Sequence, residues 1–175
     1  SFKTREEAQM FLDNVVRDLE LSNKKPSFSK SSSKAVEIWV DGSCIHNGGG
    51  DDMQLGWAYL IRKENQELHR ANGNDIPPEA SQHRNVAGEI LAVLKALDWC
   101  DAQGITSVTI YFDYQGLQAW VSGAWEARTP YTKAYVEAVK AHGMDIRWQK
   151  VLAHSGEIFN EIVDEMAREA ARARN

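Results

Sequence analysis

Cysteine is scarce. The 175 residues hold two, Cys44 and Cys100, far apart and in no C-x-x-C pair. That argues against a disulfide framework or a structural zinc site and suits a reducing, cytoplasmic setting. No apolar run approaches the roughly 18 residues of a membrane span, and no charged-then-apolar leader opens the chain, so neither membrane insertion nor secretion is expected. Positive charge is not in excess. The formal net charge is −5, with +2 over residues 1–34 and −7 over residues 35–175. A uniformly basic nucleic-acid surface is therefore missing. Nucleic acid is not excluded by this, because acids that hold divalent cations are neutralised locally. Gly48-Gly49-Gly50 lacks the Gly-Lys-Ser/Thr ending of a phosphate-cradling loop, so a nucleotide site of that kind is unsupported.

What is present is a globular composition, 43% hydrophobic and 26% charged, with enough apolar side chains to bury a core. Thr4-Arg5-Glu6-Glu7 is a capping box, and Phe11, Leu12, Val15, Val16 and Leu19 follow at helical spacing, so 5–21 reads as an amphipathic helix within a segment 1–21. Residues 22–34 are rich in Ser and Lys and contain Pro26, the composition of a flexible basic linker. The main domain then covers 35–175. Val36–Val40 alternates as a strand ending at Asp41, and 54–63 and 66–74 read as two more, joined tightly at Glu64-Asn65. An amphipathic helix spans Asn85–Cys100, with Ile90, Leu91, Val93, Leu94 and Leu97 on its apolar side. A strand at 107–112, a short helix, a helix at 130–142, a strand at 146–151 and a helix at 159–172 complete the order. Three strands with short connections pair antiparallel, and strands separated by helices pair in parallel. The expected fold is α/β: a mixed five-stranded sheet, three antiparallel strands then two parallel, with helices on both faces.

Four carboxylates fall at suggestive places on that plan. Asp41 follows the first strand, Glu89 lies in the first turns of the long helix, Asp113 ends the fourth strand and Asp164 rides the last helix. Singly each has an ordinary explanation: a turn, a helix-dipole partner, an N-cap and a solvated charge. Jointly they converge, because Asp41 and Asp113 end neighbouring strands where pairing switches from antiparallel to parallel, and ligands favour the carboxyl ends of strands there. Gathered carboxylates repel unless cations sit between them. Mg²⁺ suits oxygen ligands, and two such ions about 3.5–4 Å apart form a phosphoryl-transfer device.

Asp41-Gly-Ser-Cys-Ile-His-Asn47, Arg84-Asn-Val-Ala-Gly-Glu89, Tyr111-Phe-Asp113-Tyr-Gln115 and His154-Ser-Gly-Glu-Ile-Phe-Asn160-Glu-Ile-Val-Asp164 resemble the motifs of type 1 ribonuclease H. They stand in that family's chain order and span almost all of 36–172. The Asn-Val-Ala-Gly-Glu segment and the Asp-Tyr pair look most like bacterial members with an N-terminal hybrid-binding domain, of which Ser1–Leu12 resembles a remnant. The resemblance implies an endonuclease that hydrolyses the RNA strand of RNA/DNA hybrids with two Mg²⁺, Mn²⁺ being able to substitute, and leaves 3′-hydroxyl and 5′-phosphate ends. It makes Asp41, Glu89, Asp113 and Asp164 the metal ligands. His154 becomes an aid to proton movement or product release, and Glu157 a transient neighbour of the second metal. Cys44, Asn47, Asn85 and Gln115 match positions facing the RNA strand, where the ribose 2′-hydroxyl must be sensed. Arg84 stands where a DNA phosphate would be bound, and Trp120 or Trp125 where the DNA groove would be walled, core packing being the competing role. Ala124–Pro130 departs from the family by being short and nearly uncharged, in place of the basic protrusion of some members.

Two other functions compete with this reading. An integrase-like or junction-resolving nuclease on the same fold is disfavoured by the His154-to-Asp164 step. A non-catalytic binding domain has no use for four acids beside phosphates. No obligatory protein partner is implied, while the uncovered apolar stripe of residues 1–21 leads us to expect weak self-association.

Overall fold

A computed structural model of the chain describes residues 35–46, 53–77, 83, 85–152 and 157–173, without the side chains of His46 and Asn85. The expected helix at 5–21, the linker at 22–34 and the loop at 47–51 lie outside these residues.

The elements run β1 (Val36–His46), β2 (Met53–Lys63), β3 (Gln66–Gly73), α1 (Asn85–Ala102), β4 (Ser107–Phe112), α2 (Gly116–Ser122), α3 (Pro130–Ala141), β5 (Asp145–Lys150) and α4 (Ile158–Arg172). The five strands form one sheet in the order β3-β2-β1-β4-β5. β1 pairs antiparallel with β2 and β2 with β3, while β4 pairs in parallel with both β1 and β5. This is the expected mixed sheet. The β2–β3 turn is tight because Glu64 and Asn65 both take positive φ, 50° and 66°, the two-residue geometry that matches strand twist.

Most boundaries fall within one or two residues of expectation, and one differs by more. β1 does not end at Asp41 but continues to His46. Gly42 and Ser43 are poor strand formers on their own, yet Asp41 through His46 are held by β2, with pairs from Asp41–Ala58 to His46–Met53. Pairing to β4 stops earlier, at Trp39–Tyr111. Asp41 therefore sits mid-strand, just past the point where β4 leaves β1.

Alternation along β1 divides two cores. Val36, Ile38 and Val40 join Trp57, Tyr59 and Ile61 beneath Ile90, Val93 and Leu97 of α1, in a cluster that also takes in Ile110, Phe112, Leu117 and Tyr135. On the other face Trp39, Ala58 and Leu60 are covered by Val163, Met166 and Ala167 of α4. Asn72 and Asn74, at and just beyond the end of β3, donate side-chain amide hydrogen bonds to the Met166 and Ala170 carbonyls, at 2.7 and 3.0 Å, and so fix α4 across the sheet edge. Among the described residues no helix is long and apolar enough to cross a membrane.

Glycine sets how closely these layers approach. A Cβ on Gly56 of β2 would lie 2.3 Å from the Ala167 carbonyl oxygen and 2.8 Å from the Ala171 nitrogen of α4. A Cβ on Gly88 of α1 would lie 2.2 Å from the Gly56 oxygen and 3.0 Å from the Gly42 Cα. Both helices thus rest backbone-to-backbone on the stretch of sheet beside Asp41.

Candidate active site

That close approach positions the acids. Asp41 lies on the α4 face of β1 by alternation with Trp39, and Asp113 follows the last residue of β4. Glu89 stands directly after Gly88, whose lack of a side chain lets this turn of α1 settle onto Gly42 and Gly56. One carboxylate oxygen from each of Asp41, Glu89 and Asp113 falls within 4.8 Å of the other two. Glu89 is in the second turn of α1 rather than the first, and is 4% exposed; Asp41 is 6% exposed. Asp164, expected from α4 as a fourth member, stands outside this group of three converging oxygens; it lies near enough to Asp41 to raise the Asp41 carboxyl, and its side chain is 24% exposed. It also pairs with Arg168, one helical turn on.

The ordinary roles weighed for these acids are not what the geometry provides. α2 begins after Gln115 with no side-chain cap, so Asp113 is not an N-cap. The Asp41–Gly42 pair makes no turn; instead the Gly42 N–H donates to Asp41 Oδ1 at 2.9 Å within the strand.

The electrostatics follow from burial and like charge. Burial pushes the Asp41 carboxyl up to about 8, helped by the Asp113 charge and the hydrogen bond with Asp164, while the Gly42 N–H pulls it back. Burial also drives Glu89 well above the usual carboxylate range, followed by its hydrogen bond with Asp113 and then the charges of Asp113 and Asp41. Buried acids that can ionise only against one another are short of positive charge. A hard divalent cation with oxygen ligands answers that deficit, so the donor set fits a magnesium-like ion.

The remaining predicted residues divide. Asn47, Arg84 and His154 lie outside the described residues, as does the Asn85 side chain, although Asn85 opens α1. Cys44 is half-buried on β1, with its Sγ 3.8 Å from the Met53 sulfur. Gln115 is exposed two residues after Asp113. Trp120 and Trp125 separate cleanly. Trp120 packs edge-on to the buried Tyr135, 6.4 Å between centroids, whereas Trp125 is 42% exposed. Both lean on Tyr114, the residue next to Asp113, at 5.9 and 6.2 Å. Tyr114 and Gly88 stand in the family-like motifs with no role assigned to them, and Arg168 and Gly56 carry no motif signal in the sequence. Arg168 was visible as the i+4 neighbour of Asp164, and Gly88 as a glycine in a helix interior, where it costs about 1 kcal/mol relative to alanine and so calls for a packing reason.

The family model described as RNase H matches residues 33–172. The ribonuclease H of Neorickettsia sennetsu is 33% identical over 149 residues, covering 77% of this chain and 91% of that protein. Among solved structures, the RNase H1 of the archaeon Halobacterium salinarum superposes with a TM-score of 0.64 at 18% identity, over 80% of this chain and 99% of that one. LC11-RNase H1, solved in complex with an RNA/DNA hybrid, gives 0.62 at 17% identity, over 78% and 96%. With a matching family model over most of its length, a close relative in sequence and neighbours in fold, the chain belongs to the ribonuclease H family and is an endoribonuclease, a hydrolase.

Proposed function

We propose that the protein cleaves the RNA strand of RNA/DNA hybrids, with Asp41, Glu89, Asp113 and Asp164 holding two Mg²⁺ ions. The observation that carries this is the meeting of three carboxylate oxygens within 4.8 Å, two of the carboxylates being buried, at the carboxyl end of β4. When bound, two such cations supply Lewis acidity for attack of water on a phosphodiester and neutralise charge on the departing 3′ oxygen, leaving 3′-hydroxyl and 5′-phosphate ends. The chain's own residues do the rest. Asp41 on β1 and Asp113 just past the end of the adjacent β4 hold their carboxylates side by side. Glu89 and Asp164 close on them from opposite faces of the sheet. Cys44, Asn47, Asn85 and Gln115 sense the ribose 2′-hydroxyl, Arg84 takes a DNA phosphate, and the exposed face of Trp125 lies along the DNA strand. His154 moves a proton or speeds product release.

The direct test is a metal-dependent cleavage assay on a labelled hybrid beside duplex DNA and duplex RNA. Cleavage of the hybrid alone is expected, and equal cleavage of duplex DNA would favour the integrase-like alternative. His154→Ala should slow turnover by about a hundredfold, as loss of one proton-transfer group does. Single-turnover kinetics should show residual cleavage well above that of Asp113→Asn.

A pH dependence follows from the acids. Asp41, at about 8 when folded, and Glu89, also raised, bind protons more tightly folded than unfolded, where carboxylates titrate near 4. Their contribution to stability is complete below about pH 4 and is lost as pH rises through about 8. The metal-free protein should therefore lose stability from roughly pH 5 to 8. Saturating Mg²⁺ should restore more at pH 8.5 than at pH 5.5, because the ion displaces those protons. Denaturant midpoints with EDTA or Mg²⁺ at both values check this, and a Mg²⁺ effect equal at the two would contradict it.

A further inference from the structure

Arg168 stands outside the reading just given. It lies one turn after Asp164 on α4, and its guanidinium Nη2 binds Asp164 Oδ2 in an i,i+4 pair. Asp164 in turn lies near enough to Asp41 to act on its carboxyl, and the Asp41 charge also reaches Arg168. A line of groups thus runs from the buried acids outward: Asp41, Asp164, Arg168. The Arg168 side chain is 42% exposed, against 24% for Asp164, so the guanidinium approaches from the solvent side.

A helix-surface pair of this spacing is worth little to stability. This one differs in what its anion touches. Asp164 and Asp41 would repel if both were ionised with no cation near. Arg168 supplies that cation from a fixed place on the same helix. The oxygen it occupies belongs to a carboxylate that a bound metal would also need. A guanidinium and a divalent ion cannot both take the same lone pairs at full strength, and they repel each other.

We infer that Arg168 is a positioning residue that stands in for a cation on Asp164: it holds this carboxylate in place when no metal is bound and surrenders it, wholly or in part, when one is. The inference rests on the proposed metal-binding role of Asp164. Arg168 keeps Asp164 paired and aimed, and it acts as a built-in competitor that weakens metal binding. The protein thereby gains a defined metal-free state at the cost of affinity.

The test uses the full chain and Mg²⁺ alone, read by calorimetric titration and by thermal melts with and without the ion. Arg168→Gln should bind Mg²⁺ roughly three- to tenfold more tightly than wild type, since a partly screened positive charge has been removed from the site. Arg168→Lys, which keeps the charge, should stay within about twofold of wild type. Without Mg²⁺ the Gln variant should melt below wild type, and saturating Mg²⁺ should close most of that gap. An arginine that only braces α4 would lower the melting temperature equally in both conditions and leave Mg²⁺ affinity unchanged; that result, or weaker binding by the Gln variant, overturns the inference. If wild type binds no Mg²⁺, the metal-binding reading falls and takes this inference with it. If wild type binds and Arg168→Gln binds no better, only this inference falls.

Discussion

Asp113→Asn lowers kcat by at least about a thousandfold, roughly 4 kcal/mol of barrier at 1.36 kcal/mol per decade, and leaves hybrid affinity within about threefold. The amide keeps the shape of the side chain and removes its charge. Asp113 is the member of the cluster that both shares a hydrogen bond with Glu89 and acts by its charge on Glu89 and Asp41. Removing that charge takes one of the three converging oxygens out of use as an ionic ligand, and a hard cation held by two carboxylates is held poorly. The same change relieves repulsion on Asp41 and Glu89. The metal-free variant should therefore be as stable as wild type or more so, while Mg²⁺ stabilises it less. Single-turnover cleavage, hybrid binding and melting temperature together check this. Retention of more than about a tenth of wild-type kcat would remove Asp113 from the catalytic set.

Gly56→Ala is expected to cost about 3 kcal/mol of stability, a melting temperature lower by about 6–12 °C for a domain of this size. The added methyl would meet the Ala167 carbonyl oxygen at 2.3 Å and the Ala171 nitrogen at 2.8 Å. Both are backbone atoms of α4 and cannot swing aside as a flexible side chain would, so the helix must lift or slide. α4 carries Asp164, and the movement reaches the site. The variant should bind Mg²⁺ more weakly even at temperatures where it remains folded. Thermal melts and Mg²⁺ titration of the folded variant measure both effects. A melting temperature within 2 °C of wild type, or about 1 kcal/mol or less of lost stability, would show that the layer contact is softer than the geometry implies.

Much of this architecture was legible in the chain, for local reasons. β-branched alternation marked Val36–Val40, the Asn85–Cys100 periodicity marked α1, and Ser107–Phe112 matched β4 residue for residue. The acids were legible as a group because β1 and β4 had to be neighbours, which places the end of β4, and Asp113 with it, beside Asp41. The miss at the end of β1 has a clear cause. Gly42-Ser43 carries no strand signal, and the pairing that extends the strand is supplied by β2, a partner fixed by tertiary structure rather than by local propensity. The glycine contacts were hidden for a related reason. A lone glycine announces conformational freedom, yet Gly56 and Gly88 serve as bare surface on which another backbone rests, which depends on residues more than 30 and 100 positions apart. The split between Trp120 and Trp125 was equally out of reach, since Tyr135 decides which indole is covered.

The placement of Asp164 on α4 bears on how the enzyme is made. A chain emerging from the ribosome releases β1, α1 and β4 first, and with them Asp41, Glu89 and Asp113. At that stage Trp39, Ala58 and Leu60 lack the cover that Val163, Met166 and Ala167 give them, while Trp39 has its stacking on Tyr111 of β4. Docking of α4 buries that surface and delivers the fourth carboxylate in one event. A nascent chain thus exposes that apolar face until the helix that carries Asp164 docks on it. Docking of α4 is therefore the one packing event that both closes this face of the sheet and brings Asp164 beside Asp41.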